Sequence, residues 1–228
     1  ALGNTALMAQ FGIEVAPLAA LAEALRAQGA SVMHLAVDAK LAGLLAVSDP
    51  IKATTPDALK SLRAAGLRVV MAPGDGLTTA RAVGQRLGID EVHGEVKPAD
   101  KLELVARLQA EGKRVAMAGD GINDAPALAA ADVSFAIGAG SDIAIEAADM
   151  TLLRNDLMSV ADAISLSRLT LRKIRQNLFF AFVYNALGIP LAAAGMLNPV
   201  IAGAAMAMSS VSVVSNSLLL KRWQANQS

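Results

Sequence analysis

Apolar and polar residues alternate along most of the chain in a rhythm of short strands and amphipathic helices, and near its end the alternation stops. Pro17 at a first helical position and Gly29 just past the end bracket a helix. Residues 32–37 and 41–47, on either side of Asp38-Ala39-Lys40, predict a β-hairpin. Thr55 as N-cap, Pro56 in the first turn and Gly66 just past the end frame a second helix. Residues 67–72 follow as a buried strand, and another helix runs over about 77–87. A helix over 98–111, stopped by Gly112, leads into a strand over 114–118, and residues 133–137 and 150–153 supply two more. This βαβα order predicts a parallel sheet covered by helices on both faces. There is no internal repeat and no low-complexity linker.

A long helix from about Leu157 then carries a basic cluster into an uncharged stretch. From Gln176 to Leu220, a run of about 45 residues, there is no charged side chain. Two membrane-spanning helices need roughly 20 residues each. The break between them falls at Gly195-Met196-Leu197-Asn198-Pro199, which reads as a tight turn. Arg168, Arg172, Lys173 and Arg175 precede the run, and Lys221 and Arg222 follow it. An excess of Lys and Arg marks the cytoplasmic side, so both ends are expected there and the Asn198 turn outside. Pro190 is expected to kink the first span. A buried hairpin in a soluble protein is the alternative, but a soluble core rarely leaves so long a run without a charge.

Composition sharpens this picture in three places. Hydrophobic residues make up 54% of the chain, above the roughly 45–50% of soluble domains, which the two spans account for. A net charge of zero gives no electrostatic case for nucleic acid. The absence of cysteine excludes disulfides and cysteine-based metal sites. The chain starts at Ala1 with no signal pattern, and a fragment or processed product is expected. His34 and His93 are isolated and read as structural.

The strongest local signal is Gly119-Asp120-Gly121-Ile122-Asn123-Asp124-Ala125-Pro126, placed directly after an apolar strand and before a helix. Ligands in open α/β sheets bind at the carboxyl ends of strands, where this loop must lie. Its glycines allow close backbone approach, and Asp120 and Asp124 offer the hard oxygen ligands that magnesium prefers.

This segment resembles the magnesium loop of the P-type ATPases, members of the haloacid dehalogenase-like superfamily, and the likeness runs from Gly3-Asn4 to the end of the chain. Asp49-Pro50-Ile51-Lys52 resembles the hinge between nucleotide-binding and phosphorylation domains, with Asp49 and Pro50 as its core. Lys97-Pro98-Ala99-Asp100-Lys101 resembles the segment whose last lysine, here Lys101, contacts the phosphoryl group. The resemblance implies catalytic roles for Lys101, Asp120, Asn123 and Asp124, with Mg2+ on Asp120 and Asp124 and ATP as substrate. Phosphoryl transfer wants positive charge near the equatorial oxygens and a metal to offset the rest.

Two departures stand beside it. Where the family shows Thr-Gly-Asp-Asn, this chain reads Pro73-Gly74-Asp75-Gly76. Gly74 and Asp75 remain as phosphate-binding candidates with Lys101, but Pro73 has neither hydroxyl nor N–H. Turnover is expected to suffer unless a nearby group such as Thr78 substitutes. The phosphorylated aspartate of Asp-Lys-Thr-Gly-Thr is also absent from this chain, so the chain alone is expected to be inactive.

Polar groups inside membrane helices are costly and therefore informative about cargo. Tyr184-Asn185 in the first span and Met206-Ala207-Met208-Ser209-Ser210 in the second resemble the copper(I)-transporting subgroup of heavy-metal P-type ATPases. Met206, Ser209 and Ser210 are three and four residues apart and share a helix face. A thioether suits a soft monovalent ion, and Tyr184, Asn185, Met206, Ser209 and Ser210 are the expected Cu(+) transport site by resemblance. Ser212, Ser215, Asn216 and Met208 read as packing residues.

The expected fold is therefore α/β, a haloacid dehalogenase-like Rossmannoid parallel sheet with helices on both faces, followed by a transmembrane helical hairpin. By resemblance, residues 1–48 are the end of a nucleotide-binding domain, and 49–155 a phosphorylation domain lacking its nucleophile strand. Residues 156–177 then form a cytoplasmic stalk helix, 178–221 two transmembrane helices, and 222–228 a cytoplasmic tail. The implied function is part of an ATP-driven copper(I) export pump in a bacterial plasma membrane, working through an aspartyl phosphate. A copper chaperone is an expected delivery partner, membrane lipid the surroundings, and nucleic acid no partner. The alternatives are an inactive truncated fragment and a membrane-anchored phosphatase of the same superfamily.

Overall fold

The computed structural model describes residues 1–138, 141–196 and 198–225, in two compact units, 1–160 and 161–228. The first unit opens with β1 (Leu2–Gly3), α1 (Thr5–Gln10) and α2 (Ala16–Ala27), followed by the hairpin β2 (Ser31–Val37) and β3 (Lys40–Val47). These strands form an antiparallel sheet in the order β1-β2-β3, with Leu2 opposite Leu35 and Met33 opposite Leu45. The hairpin turn holds Asp38 and Ala39 at positive φ, the backbone a two-residue turn between twisted strands requires. One face of the sheet buries Val32, His34 and Ala36, with Ala22 of α2 and Met8 of α1 against it.

Residues 49–160 carry the parallel strands. In order come α3 (Thr55–Ala64), β4 (Val70–Met71), α4 (Leu77–Leu87), β5 (Glu91–Val92) and α5 (Pro98–Ala110). Then follow β6 (Ala116–Gly119), α6 (Ala125–Ala130), β7 (Val133–Ile137), α7 (Asp142–Ala147) and β8 (Met150–Leu152). The strands pair in parallel as β4-β5 and as β6-β7-β8, and β4 and β6 are not hydrogen-bonded to one another. Phe135 of β7 and Leu128 of α6 are among the largest fully buried side chains, so the β6–β8 sheet has its own apolar floor.

Several boundaries agree with the alternation of apolar and polar residues. Residues 77–87 and 133–137 are the helix and strand expected, and Gly29, Gly66 and Gly112 lie past their helices at positive φ. Two expectations need correction. Thr54, not Thr55, precedes the first turn of α3, and it makes no side-chain cap. The strand expected over 67–72 pairs only at Val70–Met71, because its partner β5 is equally short.

The second unit holds most of α8 (Met158–Ala193) and all of α9 (Pro199–Leu218), which ends in a short 3-10 turn, Leu219–Arg222. Among the described residues, two helices are long and apolar enough to cross a membrane. α8 continues through Pro190 to Ala193, and α9 starts at an Asn198 cap whose side chain accepts from Val200 N at 2.9 Å. Leu197, in the expected turn, and part of the expected tail, residues 226–228, lie outside the described residues.

Candidate functional site

Contacts at both ends of β6 build a site at its carboxyl end. Asp132 sets the strand: its carboxylate accepts from the Val115 amide at 2.8 Å and from Gln109 Nε2 at 3.3 Å. Those bonds, the Val115 amide first, hold the Asp132 carboxyl below the usual carboxylate range although partial burial opposes them. β6 thus delivers Gly119 and Asp120 to a tight 3-10 turn, Ile122–Asp124, from which α6 departs with Pro126 in its first turn.

Within that turn Asp124 is buried and faces inward, while Asp120 and Asn123 are exposed. Lys101, on the first turns of α5, donates to Asp124 Oδ1 at 2.7 Å, and Asp124 Oδ2 accepts from Gly121 N at 3.2 Å. Residue 119 has to be glycine here. A Cβ on it would stand 2.7 Å from Asp124 Oδ2 and Cβ. The pair Lys101 and Asp124 is 23 residues apart in sequence, so only the packing of α5 beside α6 brings it together.

The loop with Gly74 and Asp75 is stitched to the start of α5 by backbone bonds. Val96 N donates to Pro73 O at 3.1 Å and Glu95 N to Asp75 O at 2.6 Å. Gly94 allows this approach, since a Cβ there would meet the Leu77 backbone at 2.4 Å. Gly74 and Asp75 are exposed, as a ligand loop must be. The Asp75 carboxylate accepts from the Ser31 hydroxyl at 2.6 Å, a partner that sequence spacing does not reveal. Thr78, considered as a stand-in for the threonine that Pro73 replaces, points its hydroxyl to Glu23 Oε2 at 3.3 Å.

A pocket of about 310 Å³ adjoins the loop, lined among others by Lys52, Gly119, Asp120, Asn155 and Asp156. Lys52 was read only as the end of the hinge. Its ammonium donates to Asn155 Oδ1 at 2.8 Å and to the Asn155 carbonyl. Asp156 in turn accepts from the Ser159 amide and hydroxyl at 2.9 and 2.8 Å, capping the amino end of α8. Burial pushes the Asp156 carboxyl upward, but the two Ser159 bonds, Arg154 and Lys52 together outweigh it and hold the group low. Asp49 and Pro50 are exposed and belong to no helix or strand.

The residues fit a magnesium ion of the kind held by one or two carboxylates and completed by substrate phosphates. Asp120 is exposed, and Asp124 in the same turn is a second carboxylate whose two oxygens already accept from Lys101 and from Gly121 N. No cluster of three or more His, Cys, Asp or Glu that could cage a metal by itself occurs among the described residues.

In the second unit, Tyr184 and Ser209 are half-buried, whereas Asn185, Met206 and Ser210 are exposed. Asn185 Nδ2 donates to Ala181 O at 2.8 Å and Ser210 Oγ to Met206 O at 3.2 Å, each within its own helix. Asn216, read as a packing residue, packs α9 against α8 through hydrogen bonds with Lys173 and Asn177. His34 is fully buried with an unpartnered Nδ1, and His93 meets Glu91 at 3.2 Å; neither adjoins the β6 loop.

Residues 1–132 match the family model of haloacid dehalogenase-like hydrolases. A silver exporting P-type ATPase of Salmonella typhimurium is 55% identical over 96% of this chain and 28% of its own length. A copper-exporting P-type ATPase of Legionella pneumophila is 52% identical over 97% of this chain and 31% of its own length. Among solved structures, a zinc-transporting PIB-type ATPase in its E2.Pi state superimposes with a TM-score of 0.76 at 33% identity. It covers 91% of this chain, which spans 34% of that protein. The chain thus spans about a third or less of the relatives it matches. It belongs to the haloacid dehalogenase-like hydrolase family, and over nearly its whole length it is similar to one part of the heavy-metal-transporting P-type ATPases.

Proposed function

We propose that this chain is the part of an ATP-driven copper(I) export pump that holds the magnesium loop and the last two membrane helices. The observation that carries the reading is the Lys101–Asp124 pair at the carboxyl end of β6, in a chain that continues into an uncharged helical hairpin. Lys101 supplies positive charge for the oxygens of a phosphoryl group, and Asp124 fixes where that charge sits. Asp120 and Asp124 hold Mg2+, which offsets the negative charge of the ATP phosphates when bound. Asn123, exposed in the same turn, and the amides of Gly74 and Asp75 face the phosphoryl group. Pro73 contributes no donor there.

The aspartate that accepts the phosphoryl group lies on a strand outside this chain. β4 and β6 each have one edge that pairs with no strand among the described residues, which supports a position for it between them. The chain alone is accordingly inactive. Asp49 and Pro50 form the hinge to the nucleotide-binding segment, 1–48, and the chain ends lie in the cytoplasm beside the basic flanks of the hairpin.

The cargo is assigned on the hairpin. A zinc site of the lysine-and-aspartate kind has no charged group to use between Gln176 and Leu220, although the solved neighbour is a zinc transporter. Tyr184, Asn185, Met206, Ser209 and Ser210 are the copper(I) ligands or positioners, with the exposed members facing helices supplied by the rest of the pump. A copper chaperone delivers the ion.

The test is copper-stimulated phosphorylation of the whole pump by ATP, in membranes. Asp124→Ala is expected to abolish the phosphoenzyme, and Met206→Leu to lower copper transport while phosphorylation persists. A pump that is phosphorylated equally without copper(I), or one stimulated by zinc alone, would sink the cargo assignment.

A further inference from the structure

Lys173 and Asn177 of α8 and Asn216 and Ser217 of α9 form one continuous, directional chain of hydrogen bonds. Lys173 Nζ donates to Asn216 Oδ1 at 2.7 Å, and Asn216 Nδ2 donates to Asn177 Oδ1 at 2.8 Å. Asn177 Nδ2 donates to Ser217 Oγ at 2.8 Å, and Ser217 Oγ to Val213 O at 2.8 Å within α9. Three of the four bonds cross between the helices. Every group passes its proton donor in the same direction, away from the ammonium. Such a chain is polarised by the charge at its head, and each link strengthens the next in surroundings of low dielectric.

Its location gives it a task. The covalent connection between the helices comes after Ala193, and at about 1.5 Å per residue roughly 24 Å of helix separates Asn177 from Ala193. The clasp therefore joins α8 and α9 at the end remote from their turn. On α8 it lies in the half nearer the helix's amino end. Side chains elsewhere on the two helices are largely exposed, including Phe179, Phe182, Val211 and Val214. Apolar contact alone holds helices together weakly in lipid, where interhelical hydrogen bonds and close packing do the joining.

We propose that Lys173, Asn177, Asn216 and Ser217 are positioning residues that clamp α9 to α8 at this end, so that a movement of α8 carries α9 with it. The clamp is beyond the reading of the hairpin as a cargo site, because none of its four residues belongs to that set. Its structural half stands on this chain alone, and its role in transport rests on the pump reading above.

The test uses the whole chain in lipid nanodiscs. It contains no cysteine, so Ile174→Cys and Leu218→Cys, both at exposed positions beside the clasp, carry spin labels whose separation is measured by pulsed electron resonance. Lys173→Met and Asn216→Leu are each expected to lengthen and broaden the separation. Lys173→Arg keeps a charged donor and is expected to restore it. Asn216→Asp still accepts from Lys173 but has no amide to give Asn177, so its separation is expected between the two. Should either truncation fail to insert, Ser217→Ala removes only the acceptor for Asn177 and is expected to broaden the separation. Unchanged separations in the variants that insert overturn the clamp, as does Lys173→Arg behaving like Lys173→Met. In the whole pump, Lys173→Met is expected to cut copper transport at least fivefold with phosphorylation by ATP retained. An unaltered pump that ATP does not phosphorylate would count against the pump reading and leave the label separations to judge the clamp.

Discussion

The Lys101 ammonium and the Asp124 carboxylate meet at 2.7 Å with their side chains only 14% and 10% exposed, so each is the other's main compensation for leaving water. Removing one partner of such a pair leaves an uncompensated charge. Lys101→Met is expected to destabilise the first unit by about 3–5 kcal/mol. Lys101→Met with Asp124→Leu together is expected to recover much of that, because no unpaired charge remains. Denaturant unfolding of Lys101→Met, Asp124→Leu and the double variant checks it. A double-variant loss equal to the sum of the two single losses would mean that the pair's charges are not coupled.

Gly119 is held by the same carboxylate. A methyl group there would lie within 2.7–2.8 Å of Asp124 Cβ, Oδ2 and Cγ, and Asp124 cannot swing aside without breaking its bonds to Lys101 and Gly121. Gly119→Ala is expected to cost about 1–3 kcal/mol as overpacking. Gly43→Ala, in β3 with nothing within 4 Å of the added carbon, is the control expected to be neutral or mildly stabilising. Thermal melts of the two single variants separate a local clash from a general intolerance of alanine.

His34 is 1% exposed with Nδ1 unpartnered, and burial, then the nearby Arg26, lower its pKa from the ordinary 6.5. A lowered folded value means that the unfolded chain takes up the proton first as pH falls. Stability is therefore full above about pH 6.5 and is lost progressively below it. His34→Phe removes both the titration and the orphaned nitrogen. It is expected to raise the melting temperature at pH 6 more than at pH 8, and melts at the two values read the difference. An equal shift at both would assign the gain to packing alone.

What was legible in the chain was whatever leaves a periodic or punctuated trace. Leu77–Leu87 sits between Gly76 and a positive-φ Gly88, and Val133–Ile137 is a bare apolar run; both were placed correctly. β1, α1, β5 and α7 went unseen because two to six residues carry no period, and Leu2–Gly3 is a strand only because Leu35 and His34 pair with it. The loop from Gly119 to Pro126 was legible from its composition. Family resemblance gave Lys101 a role at the phosphoryl group, but its pairing with Asp124 was not foreseen, and spacing alone would not have shown it. The Ser31–Asp75 bond and the Lys173–Ser217 chain rest on contacts between distant segments, with nothing in either segment to announce the other.

Lys52 joins the hinge to the start of α8 through Asn155, and its charge helps keep the neighbouring Asp156 ionised. The Asp156 carboxyl is held below its ordinary 3.8, so the stability it contributes is present above about that pH and is lost as acid drives the pH through the lowered value. Lys52→Met takes away the Asn155 tie and one of the charges that favour the ionised form. Amide exchange at Ser159, whose N–H is given to Asp156, is expected to rise in that variant at neutral pH, and to rise further at pH 4 than in the unaltered chain. Lys52→Arg retains the charge and is expected to restore protection at both. If Ser159 exchanges equally in all three, Asp156 caps α8 without help from the hinge.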